Sequence, residues 1–103
     1  MTSHIPPELA LYRARIDALD LELIDVLARR FEVVRAVGAL KARENMPVVQ
    51  STRAQAVIDR AVHLAQEKGL DTALVRQIYE MMIDTAHKLE HTILDNADRH
   101  TVT

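Results

Sequence analysis

The sequence predicts an all-α fold of three helices, and three observations carry that reading. Strand and turn formers are scarce: of 103 residues, 3% are aromatic, two are glycine and three are proline. Apolar residues recur at three- and four-residue spacings through most of the chain, the period of a helix with one buried face. And from Pro7 to about Arg43 no proline intervenes and the only glycine is Gly38, so one very long N-terminal helix is expected. A content of 49% hydrophobic and 27% charged residues belongs to a globular chain and not to a disordered one. The length suits one domain over residues 1–103, with its core at about 7–96.

Each element has its own signals. Pro7 suits a first helical turn, where its missing N–H is not needed, and Glu8 favours the positive helix start. At 100° per residue, Ile16, Leu19, Leu23, Leu27, Val34 and Val37 share a face of the first helix, with Arg13 and Asp20 at its edge. Glu22, Asp25, Arg29 and Glu32 form its solvated side. Asn45-Met46-Pro47 ends it, because the residue before a proline is pushed out of the helical region. Residues 44–50 form a loop anchored by Val48 and Val49. Ser51 or Thr52 is the expected cap of the second helix, over about 52–68, with Thr52 and Gln55 as a capping box and Arg53 in the first turn. Its apolar face is Val57, Ile58, Ala61, Leu64 and Ala65, and Gly69 stops it. Asp71 or Thr72 caps a third helix, running to about residue 96 on a stripe of Val75, Ile78, Met82, Ala86, Leu89 and Ile93. Tyr79 and Ile83 flank that stripe, and Glu90 sits at its edge. Residues 1–6 and 98–103 read as loose ends.

The first helix also bears on assembly. It would be about 55 Å long at about 1.5 Å per residue, whereas a compact domain of this size has a radius of gyration of about 13 Å. Much of its apolar stripe stays uncovered unless a second chain covers it, so a dimer or larger assembly is expected.

Composition excludes several classes. The absence of cysteine leaves no disulfide framework and no thiolate metal site. No apolar run is long enough to cross a membrane, and MTSHIPPE lacks a basic segment followed by a hydrophobic one, which points to a cytoplasmic protein. A net charge of −2 argues against nonspecific nucleic-acid binding.

The cations matter by placement. Arg30 and Lys41 fall inside the apolar stripe, and such side chains are rarely buried without a partner. The acid nearest the middle of the stripe, Asp20, lies about 15 Å from Arg30 along the axis. An anion is therefore expected against Arg30 and Lys41, and it need not belong to the protein. The two point the same way about 16 Å apart and could hold a small dianion between them, with Arg53 swinging back from the loop. Arg13 lies about 25 Å from Arg30 along a straight helix and could enter only a site of the partner chain. The plainer alternative is four cations snorkelling over an apolar seam. His87-Lys88-Leu89-Glu90-His91 matches a short zinc-protease string, but the wheel turns both histidines outward, so two solvated histidines and no metal are expected. Met81 and Met82 read as core filler. The sequence holds no glycine-rich phosphate loop and no nucleophile in a recognisable setting.

Taken together, R-x-R-I-D-A-L-D-x-E-L-I-D-x-L-A-R-R, then V-G-A-L-K, then Pro47 leading to Arg53, then G-L-D opening the last helix, resemble the AroQ-class chorismate mutases, the all-α type II family. The resemblance spans about residues 9–95. It implies an intertwined homodimer with two equivalent sites, no cofactor, and a small dianionic substrate rearranged from chorismate to prephenate by a pericyclic Claisen shift. It further implies that Arg13 is donated across the dimer to a substrate carboxylate and that Arg30 binds a carboxylate within the subunit. Lys41 then hydrogen-bonds the ether oxygen and a carboxylate, and Arg53 is a further cation near the substrate. Glu90 stands where many members have a glutamine that donates to the ether oxygen. Gln50 stands where an aspartate is common, Ala54 where a glutamate contacts the ring hydroxyl, and Ala86 where a serine is common. Lys41, Glu90 and Arg30 are thus the expected catalytic residues, and Arg13, Gln50 and Arg53 complete the substrate-binding set. To donate, Glu90 must carry a proton, so activity is expected to fall as pH rises. Ala54 and Ala86 keep two other substrates open, as in an isochorismate-pyruvate lyase giving salicylate or a 4-amino-4-deoxychorismate mutase; a different class, a helical dimer that binds and regulates a partner enzyme, is the remaining alternative, and the intact Arg13–Arg30–Lys41–Arg53 set speaks against it.

Overall fold

A computed structural model describes residues 4–101, with side chains up to residue 98. It contains three helices, α1 (Pro7–Arg43), α2 (Ser51–Glu67) and α3 (Thr72–Thr101), and no strand among the described residues. The all-α expectation holds, and α1 begins and ends where Pro7 and the Asn45-Met46-Pro47 segment place its limits. The chain divides into two units, Met1–Glu32 and Val33–Thr103.

The first unit is the N-terminal part of α1. None of its described residues is buried, and Ile16, Leu19 and Leu23 are each more than half exposed. Only Leu27, Arg30 and Phe31 are half-buried. The apolar periodicity of this stretch is real, yet the unit contains no second element for it to pack upon.

The second unit consists of the end of α1, the loop after it, α2 and α3. Its buried apolar residues are small: Val48, Val57, Ala61, Ala65 and Ala86. Val57, Ala61 and Ala65 recur every four residues and form one ridge of α2. Alanines at such positions let two helices approach closely. Leu64 and Ile78, both expected inside, are 46% and 44% exposed, because the ridge that carries the contact is narrower than the apolar face.

Turn chemistry fixes the element ends. Asn45 takes φ 53°, and the Met46 N–H donates to the Lys41 carbonyl at 2.9 Å. Gly69 takes φ 69°, and the Leu70 N–H donates to the Ala65 carbonyl at 2.9 Å. Both are left-handed C-terminal caps with a bond reaching back five residues. Asp71 caps α3 by accepting from the Ala73 and Leu74 N–H groups at 2.9 and 3.2 Å.

Two expectations need correction. α2 starts at Ser51 with Gln50 as the residue before it, extended and without a side-chain cap. Thr52 and Gln55 form no capping box; Gln55 instead donates to Asp59 Oδ1 at 2.9 Å, one turn along the helix. α3 continues to Thr101, beyond the expected end near 96, since nothing in the DRHT segment breaks a helix. Of the loose ends, residues 4–6 are non-helical, while 1–3, 102 and 103 lie outside the described residues.

Candidate active site

The site in the second unit is built around Lys41, in the last turn of α1. The left-handed turn at Asn45 reverses the chain and brings Val48, which is buried, back toward the helix end. The Val48 carbonyl accepts a hydrogen bond from Lys41 Nζ at 2.8 Å. From α3, Glu90 Oε1 stands 2.6 Å from the same nitrogen. The side chains of Lys41 and Glu90 are only 15% and 6% exposed. Neither charge would tolerate this burial alone. Their mutual attraction and the carbonyl bond offset the loss of hydration. Among the described residues no buried side-chain polar atom lacks a partner.

The close approach has a steric cause. Gly38, one turn before Lys41, is buried, and it is where α3 passes α1 within the unit. The nearest atoms to a β-carbon there would belong to Glu90 and Ile93. A larger residue would hold Glu90 away from Lys41.

The sequence left the anion opposite Lys41 unidentified and allowed that it came from outside the chain. It is Glu90. The resemblance implies that Glu90 and Lys41 lie near one substrate oxygen; their direct bond depends on helix packing and register, which periodicity does not set. The roles of the Val48 carbonyl and of Gly38 were likewise invisible, although the positive-φ propensity of asparagine at 45 is a usable signal for the turn.

The other expected residues are distributed as follows. Gln50 is half-buried and its Nε2 donates to the Pro47 carbonyl at 3.4 Å, a contact within its own loop. Arg53 is exposed in the first turn of α2 and makes no hydrogen bond or ion pair among the described residues. Arg13, exposed, and Arg30, half-buried, belong to the first unit.

The two histidines part company. His91 is exposed as expected, but His87 is half-buried. It lines a cavity of about 420 Å³ shared with Ala54, Ile83 and Asp84. A helical wheel sees α3 alone; the hollow is formed by α2, where the small Ala54 leaves space opposite His87.

A nearly buried ammonium held by a carboxyl group and a backbone carbonyl can do one kind of chemistry well. It can grip an anion and stabilise charge that develops on an oxygen. Residues 12–91 match the chorismate mutase type II family. A 4-amino-4-deoxychorismate mutase of Streptomyces venezuelae is 32% identical over 87 residues, covering 84% of either chain. Another from Streptomyces pristinaespiralis is 32% identical over 78 residues, covering 76% of this chain and 60% of that one. The bifunctional chorismate mutase/prephenate dehydratase of Escherichia coli is 29% identical over 94 residues; the match covers 91% of this chain but 24% of that much longer protein. The chain belongs to the chorismate mutase type II family, whose named mutases are isomerases.

Proposed function

We propose that the chain converts chorismate to prephenate, and that it does so as a cytoplasmic homodimer. The observation that carries this reading is the Lys41–Glu90 pair, nearly buried and tied to the Val48 carbonyl. The rearrangement breaks an ether C–O bond while a C–C bond forms, with no proton transfer and no covalent intermediate. Negative charge grows on the ether oxygen in the transition state. Lys41 donates to that oxygen, and Glu90 donates alongside it when protonated. Positioned donors of this kind are each worth about 10²–10³ in rate. Arg30, Arg53 and Gln50 hold the carboxylate-bearing ends of the substrate, with Arg13 of the partner subunit, so that the folded reactive conformer is the one bound. None of these roles requires a metal or cofactor.

The dimer is supported by the first unit. Its apolar stripe of Ile16, Leu19 and Leu23 is exposed in the single chain, and an exposed stripe of this length on one helix is an interaction surface. A second copy covering it would also bring Arg13 to the neighbouring site.

A second reading, a mutase of 4-amino-4-deoxychorismate, is favoured by two relatives that carry that name at 32% identity and by Ala54, which offers a ring hydroxyl no polar contact. The deciding experiment incubates purified protein separately with chorismate, 4-amino-4-deoxychorismate and isochorismate and identifies the products by chromatography. Prephenate from chorismate at the highest kcat/KM supports the first reading. Preferential rearrangement of the amino compound replaces it with the second. Salicylate and pyruvate from isochorismate, or no product from any of the three, overturns both.

A further inference from the structure

The open hollow lined by Ala54 and His87 brings in α3 residues that the chemistry described so far does not use. Its volume of about 420 Å³ lies within the range of small-molecule sites. Its α2 side mixes the apolar Ala54 and Ile58 with Ser51 and Gln55, both exposed, the latter already bonded to Asp59. Its polar groups come mainly from one face of α3, where Glu80, Asp84 and His87 follow one another at helical spacing. None of these three side chains makes a hydrogen bond or ion pair among the described residues, and neither lysine nor arginine lines the hollow. His87 is the half-buried member of the three, so a contact made there is the least diluted by water.

The cavity and the Lys41 centre are neighbours along both chain segments that form them. Val49 lines the cavity, and the preceding residue supplies the carbonyl that holds Lys41. His87 precedes Glu90 by one turn, about 4.5 Å along the helix axis. The hollow is thus within one helical turn of the carboxyl group that meets the ether oxygen, within reach of a ring held there.

We propose that His87, assisted by Asp84, determines which ring substituent the hollow beside Ala54 accepts. The inference rests on the chorismate-type substrate proposed above. A ring hydroxyl and a ring ammonium share one property: both donate hydrogen bonds. An imidazole nitrogen and a carboxylate can accept them, whereas Ala54 cannot. The carboxylates separate the two cases, because an anionic wall with no cation in it attracts an ammonium and is indifferent to a hydroxyl. His87 thus supplies the acceptor that either substituent needs, and Asp84 adds a bias toward positive charge.

The test is the ratio of kcat/KM for 4-amino-4-deoxychorismate to that for chorismate, measured on the same preparation of each variant. Both values scale with the folded fraction, so a variant that is partly unfolded still gives a valid ratio. Asp84→Asn should lower the ratio about tenfold, since a lost charge contact affects only the ammonium. His87→Leu should lower kcat/KM for both substrates by about tenfold or more and shift the ratio. His87→Gln, which keeps an acceptor, should restore much of the loss, and His91→Leu, outside the cavity, should leave both values unchanged. A ratio constant within twofold across the Asp84 and His87 variants of an active enzyme would overturn the inference while leaving the proposed reaction standing. If the unaltered protein rearranges neither compound, the reaction itself is wrong and this inference falls with it.

Discussion

Gly38 of α1 and Glu90 of α3 meet in the second unit with little room for another carbon: a β-carbon at position 38 would stand 3.2 Å from Glu90 Cγ and 3.4 Å from Glu90 Cα. It would also stand 3.0 Å from Ile93 Cδ1. The contact sets how near Glu90 comes to Lys41.

Gly38→Ala therefore separates two effects. Alanine is favoured over glycine inside a helix by about 0.5–1 kcal/mol, and crowding against the Glu90 backbone works against that gain. The expected outcome is a melting temperature that changes little, together with a fall in kcat/KM of about tenfold as the Glu90 carboxyl is displaced. Gly38→Val should lose stability as well, by about 1–3 kcal/mol. Thermal melts and steady-state kinetics on the two variants check this. Full activity in Gly38→Ala would mean that α3 can slide without disturbing the pair.

Glu90 gives a prediction with a definite sign. Its carboxyl group occupies Lys41 at 2.6 Å in the free chain, whereas a glutamine amide presents N–H donors to the ether oxygen. Glu90→Gln should therefore keep or raise kcat/KM for chorismate, while Glu90→Leu, which can neither donate nor accept, should lower it about tenfold or more. Steady-state kinetics on the two variants check this. A glutamine variant as impaired as the leucine variant would mean that the carboxyl group itself is required.

The exchange of Arg13 between chains can be tested by mixing. Arg13→Ala and Lys41→Ala should each be nearly inactive. When the two are unfolded together and refolded at equal concentration, half of the dimers should be mixed, and each mixed dimer holds one intact site. About a quarter of the unmodified activity should then return. Recovery near zero would mean that Arg13 serves its own chain.

Much of this fold was legible because its limits are written in strong local signals. Pro7 and the Asn45-Met46-Pro47 segment bound α1, Gly69 ends α2, and Asp71 starts α3. The start of α2 was misplaced because Ser51 and Thr52 both look like caps, whereas Gln50 occupies that position without a side-chain bond. Of the candidate site, Lys41 and Glu90 were expected near each other through the resemblance, but not bonded directly, which depends on the space at Gly38. His87 was misjudged for a related reason: its environment is created by Ala54 on another helix, and no periodicity within α3 reports it.

Lys41 holds a further consequence, in the count of its protons. A lysine ammonium has three. The Val48 carbonyl takes one and Glu90 a second, so a single N–H remains for whatever enters. Because the nitrogen is tetrahedral, the two occupied bonds fix the direction of the third. Arginine at this position would keep the charge but replace the tripod with a flat fork of donors, and no orientation of that fork reproduces all three directions. Position 41 is thus selective for the shape of a cation as well as for its sign.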